Sequence, residues 1–239
     1  RDVYEENVVA FYKRLEETNN LVKDVYDQLD DIKNMYDLDD KDIEVIHEVN
    51  KTLIVINDDY KKMIGRDDSK SSPYSMLNEE VEALSNRLSI MEEDFDKSLK
   101  SLGNMYEDEV RAREQLEEIQ EFLNTCKNEI RNYKLPVISD NYFVQLSEAS
   151  EAIEEVVKEL DRKPIVIKTL NTRVDTARDL VLKLYNTTTD MIKTAKYAEK
   201  VIVYVNRYRS KYNEIDSGLN DAEKAFYKGN YKEALDLSI

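Results

Sequence analysis

From Leu77 to Tyr133 the chain carries two interleaved heptad registers and no proline. One register reads Leu77, Leu84, Met91, Ser98, Met105, Ala112, Ile119, Cys126, Tyr133, and its partner reads Val81, Leu88, Phe95, Leu102, Glu109, Leu116, Leu123, Ile130. Only Ser98 and Glu109 interrupt the apolar seam. Apolar side chains returning at alternating steps of three and four line one narrow face of a helix, so this stretch predicts a single long α-helix packed along its length. At 1.5 Å per residue it would extend for roughly 90 Å, more than one globular core covers. The helix is therefore expected to serve two packing units in succession, with Ser98 and Glu109 near the handover between them.

The other segments supply its packing partners. A seam of Val8, Phe11, Leu15, Val22, Val25, Leu29, Ile32 and Tyr36, with Thr18 at one step, predicts a first helix from about Asp2 to Tyr36. Asp39 or Asp40 is placed to cap a second helix carrying Ile43, Ile46, Val49, Leu53, Ile56, Tyr60 and Met63, which Gly65 is expected to end. Arg66 to Pro73 reads as a loop, with Pro73 suited to the first turn of the long helix. Beyond Tyr133, Lys134-Leu135-Pro136 stops that helix, because the residue before a proline is driven out of the helical region. Ser139 or Asp140 then caps a helix with the seam Tyr142, Leu146, Ala149, Ile153, Val156 and Leu160. Pro164 is expected to open another, along Ile167, Leu170, Val174, Ala177, Val181, Leu184, Thr188, Met191, Ala195, Ala198, Ile202 and Val205. The remainder, with Gly218 and Gly229, reads as shorter helices around a turn.

A repeat emerges from these segments. Tyr36-Asp37-Leu38 closes one helix as Tyr133-Lys134-Leu135 closes another, and Ile46, Leu53, Ile56, Tyr60 recur as Leu146, Ile153, Val156, Leu160. A period of roughly ninety-odd residues, built of long, short and long helices, means serial three-helix units. Sheets need more turn residues than the 4 glycines and 3 prolines of this 239-residue chain provide. The expected fold is all-α: tandem antiparallel three-helix bundles with the connectivity of spectrin-like repeats, joined by long shared helices into an elongated rod or arc. One repeat is expected over residues 1–101 and a second over 102–194, with a further helical unit beginning at 195 and cut short at 239.

Charge and composition then exclude several function classes. A net charge of −16 argues against sequence-independent nucleic-acid binding, which depends on Lys and Arg neutralising phosphates. No run approaches the roughly 18 apolar residues of a membrane span, and no signal peptide is visible. The chain opens on Arg1 and closes within a helical pattern, so it reads as a piece of a longer protein, with any anchor outside it. The one cysteine, Cys126, sits in the apolar seam and is expected to be a buried thiol in a reducing compartment.

No catalytic constellation survives inspection. His47, the only histidine, lies three residues after Glu44, but di-iron bundles that use Glu-x-x-His need a second such motif. Asp37, Asp39, Asp40 and Asp42 suggest a calcium loop with Glu48 at its twelfth position. Asp42 falls where that loop needs glycine, however, and helix capping accounts for these acids better. There is no glycine-rich phosphate loop. The expectation is a protein that is not an enzyme and carries no cofactor or metal. One stretch departs from the acidic background. On a continuous helix Lys193, Lys196, Lys200, Arg207 and Lys211 share a stripe with Tyr204, opposite the apolar seam. Such a stripe either docks an acidic partner segment or offsets acids on neighbouring helices. Arg209 stands where the seam wants an apolar residue, so either the helix changes there or the arginine faces a partner.

The run Tyr204-Val205-Asn206-Arg207-Tyr208-Arg209-Ser210, followed by Leu219, Ala222, Glu223, Phe226, Gly229, Tyr231, Ala234 and Leu235, resembles the C-terminal region of the EzrA family of septation ring formation regulators from low-GC Gram-positive bacteria. By itself the portion from Ala222 to Leu235 also reads as part of a helical hairpin of tetratricopeptide type. The resemblance implies a cytoplasmic rod of spectrin-like repeats behind an N-terminal membrane anchor that this piece lacks. It further implies binding to the tubulin-like division GTPase FtsZ, restraint of ring assembly away from midcell, and contact with other divisome proteins at the septum. Self-association is compatible with it. A family patch named for Gln, Asn and Arg and tied to midcell localisation is matched by Asn206 and Arg207, with Val203 standing where the glutamine is expected. The expected partner-binding set is Lys200, Tyr204, Asn206, Arg207, Tyr208, Arg209 and Lys211. The alternative is a passive spectrin-type crosslinker or coiled-coil tether.

Overall fold

The computed structural model describes residues 2–68 and 72–239. Over these the chain forms seven helices: α1 (Asp2–Met35), α2 (Asp40–Asp68), α3 (Tyr74–Tyr133), α4 (Asp140–Asp161), α5 (Ile167–Asn206), α6 (Asn213–Tyr227) and α7 (Tyr231–Ser238). The fold is all-α; the single β-pairing among the described residues is an isolated bridge between Tyr36 and Ile165. The chain divides into two compact units, Arg1–Asp108 with Lys163–Ile167, and Glu109–Arg162 with Lys168–Ile239. No described helix is long and apolar enough to cross a membrane.

In the first unit, periodic apolar positions of three helices share one core. Tyr4, Phe11, Leu15 and Val22 of α1 meet Val49, Leu53, Ile56 and Met63 of α2 and Leu77, Val81, Leu84, Leu88, Met91 and Phe95 of α3. Polar pairs fix the register. Asn7 donates to Asn78 at 2.9 Å and Arg14 Nε to Glu92 at 2.9 Å, so α1 and α3 run parallel. Asn19 and Asn57 exchange amide hydrogen bonds of 3.0 and 2.8 Å, and Tyr4 donates to Asp67 at 3.3 Å, so α2 runs antiparallel to α1. Arg66 pairs with Glu80, and Arg87 with Asp59 at 2.8 Å, which makes α2 antiparallel to α3 as well. The first unit is thus an antiparallel three-helix bundle. Asp39 is the cap of α2: its Oδ1 accepts the Lys41 N–H at 3.1 Å and its carbonyl the Asp42 N–H at 3.0 Å.

Gly65 does not end α2, which continues to Asp68. Glycine weakens a helix by about 1 kcal/mol, too little to stop one whose flanking turn buries Met63 completely and pairs Arg66 with Glu80. Arg66–Asp68 are accordingly helix rather than loop, and the rest of the predicted loop at 69–71 lies outside the described residues. Pro73 stands just ahead of α3, its carbonyl accepting the Leu77 N–H at 3.2 Å.

Helix α3 is unbroken for 60 residues, and the division between units falls within it. Glu109 is the first residue of the second unit. Ser98 is not at the handover: it is 3% exposed and lies inside the first unit. A serine is tolerated there because it is small and a helical hydroxyl can return to a carbonyl of its own helix. Between Ser98 and Ala112 no residue of α3 is buried.

Pro164 does not open α5, which starts at Ile167. Ile165, fully buried, is extended instead: its N–H donates to the Met35 carbonyl at 2.8 Å and its carbonyl accepts from the Asp37 N–H at 2.9 Å. These pairs tie Lys163–Ile167 into the first unit.

In the second unit α3 ends where Lys134 adopts a left-handed conformation (φ 52°), and Ser139 caps α4 by accepting the Tyr142 N–H. The expected α4 seam is buried at Tyr142, Ala149, Ile153, Val156 and Leu160. Glu159 is buried beside it, with Arg173 of α5 3.7 Å from its carboxylate and bonded to the Glu155 carbonyl at 2.9 Å. Cys126 is fully buried and its thiol is pushed up by that burial. Toward its C-terminal half α5 buries Ile192 rather than Met191, then Ala195 and Ala198. Ala198 packs against Ala225 of α6 and Ala234 of α7, small residues that let the α6–α7 hairpin approach closely.

Candidate partner-docking face

The cationic stripe is divided by the end of a helix. Lys193, Lys196, Lys200 and Tyr204 lie on α5, but α5 ends at Asn206 and residues 207–211 form turns. Every residue of the run Val201–Val205 is β-branched or aromatic, with weak helix propensity. Beyond it the backbone closes tighter turns, Tyr208 N–H to Val205 carbonyl at 2.9 Å and Lys211 N–H to Tyr208 carbonyl at 3.0 Å. Arg207 and Lys211 therefore do not continue a helical stripe.

Arg209 explains where the chain goes instead. Its guanidinium reaches three side chains spaced four and three residues apart on one face of α6. Nε donates to Asp216 at 2.7 Å, Nη2 to Asn220 and Nη1 to Glu223 at 3.0 Å. Asn206 also accepts from Nη1, at 3.3 Å. The arginine in the apolar slot thus turns inward to tether the α5–α6 connection. The signal for it in the sequence is the Asp216, Asn220, Glu223 spacing, which marks one helical face.

The other members of the expected set face outward to different degrees. Lys200, Asn206 and Lys211 are exposed and Tyr208 is half-buried. Tyr204 is 55% exposed, with the Arg207 guanidinium carbon 4.3 Å from its ring centroid and the Tyr208 ring edge-on at 6.2 Å. A guanidinium over a tyrosine face is attracted by the ring quadrupole. The structure thus brings Lys200, Tyr204, Arg207 and Tyr208 together, directs Arg209 inward, and leaves Lys211 on the turn.

Earlier on α5 the stripe borders an open groove of about 700 Å³ against the last turns of α3. Lys196 lies over the Tyr133 ring at 5.0 Å, and the Tyr133 hydroxyl donates to Glu199 at 2.9 Å. Burial and then that hydrogen bond push Tyr133 up to about 12, so it stays a donor throughout the neutral range. Nothing in the sequence marks this wall, because Tyr133 falls in the heptad seam and meets α5 across a long stretch of chain.

The residues considered for chemistry have other engagements. His47 packs edge-on against Tyr26 at 5.5 Å, and Asp42 accepts from Ser101 at 2.8 Å. Among the described residues no group of three or more His, Cys, Asp or Glu is arranged to hold a metal ion.

Comparison with known proteins gives a consistent answer. All of residues 1–239 match the family described as "Septation ring formation regulator, EzrA". A septation ring formation regulator EzrA from Geobacillus sp. (strain WCH70) is 29% identical over 225 residues, covering 94% of this chain and 40% of the relative. One from Staphylococcus epidermidis is 24% identical over 269 residues, covering 94% and 47%. One from Geobacillus kaustophilus is 32% identical over 128 residues, covering 54% and 23%. The chain spans less than half the length of these relatives. No solved structure matches it.

Proposed function

The chain belongs to the EzrA family of septation ring formation regulators, and from that premise we propose that it regulates by binding, without catalysis, holding FtsZ through the outer face at the end of α5. Other divisome proteins share this role as partners, and the site of action is the septum, at the cytoplasmic face of the membrane. Lys200, Tyr204, Asn206, Arg207 and Tyr208 form the contact set, with Lys211 at its edge and Arg209 holding the turn in place. On this reading the chain carries successive spectrin-like repeats over 1–101 and 102–194 and a further helical unit from 195, the last of these within the second compact unit.

One observation supports the contact set above the rest. In a chain of net charge −16, Arg207 rests on the exposed Tyr204 ring one turn beyond an exposed lysine. A pre-positioned arginine and aromatic pair is the kind of anchor on which interfaces concentrate their binding energy. Reversing Arg207→Glu is expected to weaken co-sedimentation of the chain with FtsZ polymers about tenfold, with the helical circular-dichroism signal unchanged. Equal co-sedimentation of the variant and the wild type would remove Arg207 from the contact set.

A further inference from the structure

The groove in the second unit has a floor and walls of different chemistry. Ile192, 8% exposed, forms the apolar floor between the Tyr133 ring on α3 and Tyr197 on α5. Lys193, Lys196 and Lys200 stand along α5, and Glu129 is the one carboxylate on the lining. Among the described residues neither Lys193 nor Lys200 pairs with a carboxylate of the chain. That contrasts with arginines elsewhere in the two units, of which Arg14, Arg66, Arg87 and Arg173 each bind an acid on a neighbouring helix. In a chain with 51 acidic and 35 basic residues, a furrow with three lysines against one glutamate is locally inverted in charge.

We propose that this groove docks an acidic amphipathic helix of a partner protein, its carboxylates on Lys193, Lys196 and Lys200 and its apolar side on Ile192 between the two tyrosine rings. Two neighbouring helices leave a furrow shaped to receive a third helix. The lysines recur at steps of three and four, about 4.5 and 6 Å along the axis, so Glu or Asp at steps of three and four on the incoming helix can meet each in turn. Tyr197, 56% exposed, supplies apolar contact that a simple ionic patch lacks. The proposal rests on the reading of the chain as a binding regulator, and it holds whichever protein supplies the helix.

The test uses the whole 239-residue chain and a fluorescein-labelled synthetic peptide helix with glutamates on one face and leucines beside them, read by fluorescence anisotropy. Saturable binding is expected, weakened about tenfold by Lys193→Glu with Lys200→Glu and by added salt, but kept by the control pair Lys61→Glu with Lys100→Glu. Absence of saturable binding, or equal loss in both pairs, overturns the proposal. Sedimentation of the chain alone adds an arm: a dimer dissociated by Lys193→Glu with Lys200→Glu makes the occupant a second copy and overturns the partner helix. A wild-type chain that co-sediments with FtsZ but does not bind the peptide overturns the groove alone. Peptide binding without FtsZ co-sedimentation overturns the identity of the partner alone.

Discussion

Replacing Phe95 with alanine is expected to lower the stability of the first unit by about 3–5 kcal/mol. Phe95 is 1% exposed and closes the α3 side of the core shared by α1, α2 and α3. Truncation removes the transfer energy of the ring and leaves a cavity lined by helices that polar pairs hold in register, which limits collapse into the space. Equilibrium denaturation should show the midpoint falling, with Phe95→Leu recovering the greater part. The same experiment separates a bundle filled by its own chain from a coiled-coil dimer. In the bundle the midpoint does not depend on protein concentration, whereas a seam filled by a second chain makes it rise with concentration.

The second large effect is expected at Gly229, which joins α6 to α7. Its φ is +86°, and a Cβ there would lie 2.9 Å from the Val137 Cβ and 3.0 Å from its Cγ1. Val137 cannot simply withdraw. Its N–H donates to the Tyr231 hydroxyl at 3.2 Å, and its carbonyl accepts from that hydroxyl at 2.5 Å. Gly229→Ala therefore combines the left-handed backbone cost, about 1–2 kcal/mol, with displacement of a clasped neighbour, about 1–3 kcal/mol. A loss of about 2–5 kcal/mol is expected, seen as faster hydrogen exchange through Tyr231–Ser238. Gly218→Ala is the control. Its Cβ would meet only the Leu237 carbonyl at 3.7 Å, so it should be neutral or mildly stabilising. Equal behaviour of the two variants would mean that the hairpin is not seated on Val137.

Much of the fold is legible in the chain because a buried helical face must repeat. The register through Leu77, Leu84, Met91, Ala112, Ile119 and Cys126 is buried as the heptads require. Errors come from features that periodicity does not encode. A strict step of seven only approximates the true helical repeat, and α5 buries Ile192 where that step places Met191 before returning to Ala195 and Ala198. Gly65 and Pro164 look like punctuation when only local preference is weighed. Distant partners decide both places: Glu80 holds the last turn of α2, and Met35 with Asp37 holds Ile165 extended.

The candidate face follows the same rule. Lysines at helical spacing mark the stripe on α5, and an arginine in an apolar slot marks Arg209 as unusual. Its destination is hidden because Asp216, Asn220 and Glu223 belong to the next helix. The Tyr133 wall of the groove is hidden for a stronger reason, since Lys196 and Glu199 reach it only once α3 and α5 are packed.

Regulation by binding, rather than passive attachment, is tested most directly by FtsZ assembly itself. The fraction of FtsZ that pellets in the presence of GTP would be measured as the chain is added, with wild type and Arg207→Glu compared. The pelleted fraction is expected to fall as wild-type chain increases, and to fall less with Arg207→Glu. A chain that sediments with the polymer while the amount of polymer stays constant would be a passive tether, and that result would contradict the account.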